Sequence, residues 1–169
     1  MSLEVSTASK ASQQIAQRRF ADLDSAASAI AFAYLSTQLS GRQKRYAVLY
    51  RSNVEDLVLR KENQLAFEEA GISEGDIMFL DDLATLDLSN LGVSIALVDH
   101  NKLSAEFGGQ DEAVIAIIDH HEDEKHHLSA SPRLIQVPTG SCSSLVTLHF
   151  SQQLSLDHFP IQLDKLVVS

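Results

Sequence analysis

Two apolar runs in this chain each end in an aspartate followed by a histidine. Ile95-Ala96-Leu97-Val98 leads into Asp99-His100-Asn101, and Ile115-Ala116-Ile117-Ile118 leads into Asp119-His120-His121. Short apolar runs read as strands, and the carboxyl ends of strands in an open α/β sheet are where ligands bind. Neighbouring strands can there bring together groups about 20 residues apart in the chain. A single Asp-His pair is an ordinary way for a strand to end. Two such pairs, one extended by a second histidine, favour a site. A further pair of carboxylates stands in Asp22-Leu23-Asp24-Ser25, at the start of a helical stretch. Helix capping accounts for one of them well and for both less well. With the strand ends they complete a set of carboxylates and imidazoles with no thiolate, which suits Mn²⁺, Mg²⁺ or Co²⁺ better than a structural zinc. Shared carboxylates suggest two ions about 3.5–4 Å apart, an arrangement that activates water and stabilises in-line phosphoryl transfer.

Gly140-Ser141-Cys142-Ser143-Ser144 precedes an apolar helix. Glycine permits close approach of the backbone and a helix start offers free amides to a phosphate, although a plainly capped helix explains the same residues. Cys142 has no base at fixed spacing and reads as a small buried residue. His126 and His127 follow Glu122-Asp123-Glu124-Lys125 and read as part of a solvated loop, His149 as a packed helix residue, and His158, near Pro160, as part of a turn.

The elements that must position these groups alternate between helix and strand. A helix is expected over 23–39, with Gly41 as its stop, and another over 62–70, ended by Gly71. Strands are expected over 46–50, 77–80, 94–98, 113–118 and 133–137, and a last helix over 141–154. The central runs are continuously apolar, as in strands covered on both faces, so the expected fold is a three-layer α/β sandwich with a mostly parallel sheet. Residues 1–20 read as a polar N-terminal segment, with Val5 to Phe20 forming a weak amphipathic helix or a tail, and 21–169 as the folded domain. The 169 residues carry 13 Lys+Arg against 23 Asp+Glu, a net charge of -10, which argues against nucleic acid and anionic membranes as partners. One cysteine excludes an internal disulfide, and no run is long enough for a membrane helix, so a soluble cytoplasmic protein is expected.

Asp-Leu-Asp-Ser at 22–25, Val-Asp-His-Asn at 98–101, Ile-Asp-His-His-Glu-Asp-Glu at 118–124 and Gly-Ser-Cys-Ser-Ser-Leu-Val at 140–146 occur in that order. Together they resemble the DHH phosphoesterase superfamily. The Asp-His-Asn form of the second motif, with Leu59-Arg60-Lys61-Glu62-Asn63 and Phe79-Leu80-Asp81-Asp82-Leu83, resembles its exopolyphosphatase and prune branch, in particular fungal exopolyphosphatases. The resemblance covers about residues 21–150. It implies a binuclear site of two Mn²⁺ or Mg²⁺, with Asp22 and Asp24 each on one metal, Asp99 bridging and His120 a further ligand. It places His121 near the phosphate, His100 and Asp119 in support, and Gly140 and Ser141 at the substrate phosphate. The implied reaction is attack of an activated water on the terminal phosphorus of inorganic polyphosphate, or of another phosphoanhydride, with release of orthophosphate.

Two departures from the family pattern shape a second expectation. Gln13 to Phe20 stands where the family has an apolar strand, and is too polar for a buried central one. The chain also ends at Leu166-Val167-Val168-Ser169, short of a further ligating aspartate and of a substrate-gripping C-terminal domain; Asp157 and Asp164 come too early to replace it. The alternative is thus a catalytically incomplete remnant that binds metal or a protein partner, with self-association through the surface left by the missing domain. A related pyrophosphatase or phosphodiesterase is a further alternative. A Rossmann-type nucleotide binder is disfavoured, because no Gly-x-Gly-x-x-Gly follows a strand.

Overall fold

The expected apolar runs form a single parallel sheet whose two faces are both covered. A computed structural model describes residues 14–17, 22–83, 85–86, 88–107, 109–155 and 159. Its strands are β1 (Gln14–Gln17), β2 (Tyr46–Tyr50), β3 (Met78–Phe79), β4 (Ser94–Val98), β5 (Val114–Asp119) and β6 (Arg133–Ile135), in the spatial order β3-β2-β1-β4-β5-β6. All neighbouring pairs are parallel. The helices are α1 (Leu23–Leu39), α2 (Lys61–Ala70), the short α3 (Leu80–Leu83) and α4 (Leu88–Leu91), and α5 (Cys142–Ser151).

Strand β4 shows why its run is continuously apolar. Ala96 and Val98 pack into one cluster with Ala29, Phe32 and Leu35 of α1 and with Leu145, Val146 and Phe150 of α5. Ile95 and Leu97 pack into a second cluster on the other face, with Leu83 of α3 and with Leu103 and Phe107. Alternate side chains therefore enter different cores. A third cluster joins Ala26 and Ala27 of α1 to Tyr50, Phe79 and to Phe67 and Ala70 of α2. Helix α2 ends at Gly71, whose φ of 71° is the left-handed conformation that glycine adopts without penalty.

The sequence reading is corrected at the first strand. Gln14–Gln17 pairs with β2 on one side and with β4 on the other, in the middle of the sheet. Polarity was a poor guide because strand formation depends on context more than on intrinsic preference. Without this segment the facing edges of β2 and β4 would leave their backbone N–H and C=O groups unpaired. The missing central strand is therefore present. The remaining parts of the expected N-terminal helix or tail, and Asp157, His158, Pro160, Asp164 and 166–169, lie outside the described residues. Strand and helix bounds elsewhere differ from expectation by a few residues, as at α5, which ends at Ser151 rather than Leu154.

The strand order reverses direction between β1 and β4. That is the switch point of a doubly wound sheet, where the connections diverge to leave a crevice at the carboxyl ends. Asp99 follows directly on β4 at this crevice, and Asp22 and Leu23 follow β1 closely, so α1 starts on the same edge of the sheet.

Candidate metal centre

Register brings the two Asp-His motifs together. Val98 pairs with Ile118, so the next residues, Asp99 and Asp119, emerge side by side. The Asp99 N–H donates to the Ile118 carbonyl at 2.8 Å, which continues the ladder one step past β4. Asp99 then leaves the extended conformation. Its φ of 65° lies in the left-handed region, which is costly for a residue with a Cβ and concentrates at functional positions.

Asp99, His120 and His121 each offer a ligand atom, and these atoms all lie within 4.8 Å of one another. His120 Nε2 stands 3.0 Å from Asp99 Oδ1 and 3.7 Å from Asp24 Oδ2. His121 Nδ1 is 3.6 Å from Asp99 Oδ1, and the two imidazole rings meet edge to face with centroids 4.5 Å apart. The Asp99 side chain is fully buried, that of His120 largely so, and that of His121 half-exposed. The group is thus a buried carboxylate with imidazoles leading out to solvent.

The hydrogen bonds around these rings fit a cation. His120 Nδ1 lies 3.0 Å from the Thr139 carbonyl, an acceptor only, so Nδ1 carries the ring hydrogen. In the neutral ring Nε2 then presents a lone pair to the oxygens of Asp99 and Asp24. A lone pair facing carboxylate oxygens needs a proton or a metal ion between them. A carbonyl behind one ring nitrogen is also how ligating histidines are oriented. The donor set of carboxylate oxygens and imidazole nitrogens suits a divalent ion of the Mn²⁺ or Mg²⁺ kind. Cys142 takes no part. Its buried thiol donates to the Ile118 carbonyl at 3.3 Å, and burial, followed by the charge of Asp99, pushes its pKa well up.

The other expected residues occupy distinct places. Asp119 is fully buried; its Oδ1 accepts the N–H groups of His120 at 2.8 Å and His121 at 3.2 Å and meets His121 Nδ1 at 2.8 Å. It orients the histidines from behind. His100 is buried, with Nδ1 3.0 Å from the Val98 carbonyl. Asp22 caps α1, accepting from the Ser25 N–H at 3.1 Å and the Ser25 hydroxyl at 2.8 Å. Its charge also raises the Tyr50 pKa as a minor contribution behind burial.

Asp24 joins the site to α5. Its two oxygens accept the N–H groups of Cys142 at 2.9 Å and Ser143 at 3.0 Å. Two amides that the sequence reading offered to a phosphate are therefore held by a carboxylate of this chain, which suits the positive end of a helix dipole. Gly140 and Ser141 stand at this junction, and the Ser141 hydroxyl caps α5 by accepting from the Ser144 N–H at 3.2 Å.

The loop after β5 is exposed from Glu122 to Lys125, as expected, but not at His127. The His127 ring is buried, and its Nε2 accepts the Leu103 N–H at 3.1 Å. Burial lowers its pKa against the opposing charge of Asp111. Arg133 binds both oxygens of Asp123 and holds its carboxyl well below the usual range, at about 2. His149, partly buried beside Phe150, has its pKa lowered by burial, as a packed residue should. Two contributors were not assigned from sequence. Thr139 acts through a backbone carbonyl, which leaves no side-chain signal. Asn101 was visible as the last letter of Asp-His-Asn, but without a role.

Known proteins resemble this arrangement in sequence and in fold. An exopolyphosphatase-named protein of Schizosaccharomyces pombe is 40% identical over 136 residues, 77% of this chain and 34% of that protein. Exopolyphosphatase PRUNE1 of Rattus norvegicus is 30% identical over 126 residues, 74% of this chain and 28% of that protein. The chain thus spans about a third of the length of the curated relatives it matches. The crystal structure of an exopolyphosphatase-related protein from Bacteroides fragilis superposes with a TM-score of 0.64 at 14% identity, over 94% of this chain and 44% of that one, which is a likeness of fold. The family profile described as DHH family, N-terminal domain matches residues 14–168, from β1 through all the motifs above, and the chain belongs to that family.

Proposed function

We propose that this chain carries the metal-binding half of an exopolyphosphatase-like hydrolase, which cleaves the terminal phosphoanhydride of inorganic polyphosphate and releases orthophosphate. The observation that carries the reading is the convergence of Asp99, His120 and His121 within 4.8 Å at the switch point of the sheet. Asp24 stands on the same His120 nitrogen. Exopolyphosphatase-named relatives supply the substrate class.

In this proposal Asp99, His120 and Asp24 hold the cation set, with Asp22 on the same edge, and two Mn²⁺ or Mg²⁺ are the expected load. Bound there, divalent ions supply the Lewis acidity that activates a water and neutralises phosphoryl charge. The chain's own contribution is positioning, as phosphoryl transfer requires little covalent chemistry from the protein. Asp119 fixes the His121 ring through Nδ1, so the neutral ring's Nε2 keeps a lone pair for a cation beside the bound phosphate. Asp24 anchors the start of α5 beside the metal ligands, so that Gly140 and Ser141 border the substrate. Burial of Asp99 raises the worth of each charge interaction there.

The test is Mn²⁺ titration by calorimetry, together with phosphate release from polyphosphate and from pyrophosphate. Wild type should bind Mn²⁺, and an Asp99→Ala/His120→Ala double variant should not. A wild-type chain that binds no divalent ion would contradict the reading. Metal binding with release from pyrophosphate alone would move the substrate and keep the chemistry.

A further inference from the structure

Asn101 lies two residues beyond Asp99 and is 2% exposed. Both ends of its amide are engaged. Nδ2 donates to Asp119 Oδ2 at 2.5 Å and to the Glu122 carbonyl at 3.0 Å. Oδ1 accepts the Glu124 N–H at 2.8 Å. The three contacts need two donor hydrogens and an acceptor on one short side chain, which a primary amide has and a carboxylate lacks.

The partners link the two motifs. Asp119 uses Oδ1 on the histidine side, for the N–H groups of His120 and His121 and for His121 Nδ1. Its Oδ2 is held by Asn101. A carboxylate gripped by both oxygens cannot swing about its terminal torsion without giving up a buried hydrogen bond, and that loss is costly. The loop after His121 is tied down by the same amide, through Glu122 and Glu124.

We infer that Asn101 is a positioning residue for the metal centre: it clamps Asp119, which holds the His121 ring through Nδ1, and it fixes the loop that follows. The inference rests on the metal-site reading above. It assigns a task to the residue that distinguishes Asp-His-Asn from Asp-His-His. An Asn101→Asp variant keeps the size but sets a second carboxylate against Asp119 and an acceptor against the Glu122 carbonyl, so it reverses both donor contacts.

Two readouts test it. In metal-free wild type, ¹⁵N NMR should show the neutral His121 ring with its hydrogen on Nδ1; a ring carrying it on Nε2 overturns the inference without any variant. In Asn101→Asp, Mn²⁺ affinity by calorimetry should fall about 10–100-fold, the usual effect of losing a group that orients a ligand, with the circular dichroism spectrum unchanged. The His121 ring should then populate both tautomers. A folded Asn101→Asp protein with wild-type Mn²⁺ affinity and a single Nδ1–H tautomer overturns the inference. Should the variant not fold, the wild-type ring decides. Failure of wild type to bind Mn²⁺ sinks the metal reading and the metal role of Asn101 with it, whereas a wild-type affinity in a folded Asn101→Asp protein sinks the inference and leaves the metal reading standing.

Discussion

The two Asp-His motifs share a dipeptide and a register, yet they use it in opposite ways. After β4, Asp99 enters the site and His100 turns back to the Val98 carbonyl. After β5, Asp119 is held behind the site and His120 and His121 face it. The difference lies in one backbone torsion. Asp119 is still the last residue of an extended strand, whereas Asp99 has already left the strand with φ at 65°. Side chains alternate only while the strand lasts, so ending it one residue earlier inverts which member of the pair reaches the crevice. Identical letters at strand ends therefore do not carry identical chemistry. Mutating equivalent letters should separate the roles.

The largest contrast is expected between the histidines. His120→Ala should weaken Mn²⁺ binding by at least about 100-fold, beyond the 10–100-fold typical of residues that only orient a ligand. Its effect on stability should be small, since the ring is at the rim of the core. His100→Ala should do the reverse: affinity within a few-fold of wild type, and a loss of about 1–3 kcal/mol for a buried, hydrogen-bonded ring. Calorimetry and denaturant melts of the two proteins give both axes. Equal effects on affinity would erase the distinction between the motifs.

A second prediction addresses the torsion itself. Asparagine tolerates the left-handed region better than alanine, so metal-free Asp99→Asn should be more stable than Asp99→Ala by about 1 kcal/mol. The same pair at position 119, in extended backbone, should lack that torsional term. Urea melts without added metal measure it. A third concerns the strapped loop. The folded state lowers the His127 pKa, so its contribution to stability is full above the unfolded value near 6.5 and is lost as pH falls through the folded one. A His127→Gln protein, which keeps an acceptor for the Leu103 N–H, should lose less stability on acidification from pH 7 to pH 5. The smallest effect belongs to Asp123, whose folded pKa of about 2 means that its bond with Arg133 contributes above the usual carboxylate range and is lost as pH falls toward that value. Arg133→Gln should alter acid unfolding only in that window.

Much of this was legible in the sequence for a physical reason. A strand covered on both faces must be apolar throughout, so Ile95 to Val98 and Ile115 to Ile118 announced themselves, and the polar residues that ended them had to lie on one edge. The first strand, Gln14–Gln17, was not legible, because its place is set by the two backbones it joins rather than by its own composition. The family resemblance pointed to both motifs and proved sound. The opposite use of Asp99 and Asp119 was only partly visible, since a single positive φ leaves no mark in residue type when the residue is aspartate. His127 was misread as solvated because the bond its ring makes comes from a residue distant in the chain, Leu103, which its own stretch of sequence does not show.

The most direct test of the account is Mn²⁺ calorimetry on wild type, Asp99→Asn and Asp119→Asn side by side. The account predicts that wild type binds, that Asp99→Asn loses binding beyond detection, and that Asp119→Asn still binds with affinity reduced about 10–100-fold. Wild-type affinity in Asp99→Asn, or complete loss confined to Asp119→Asn, would contradict it.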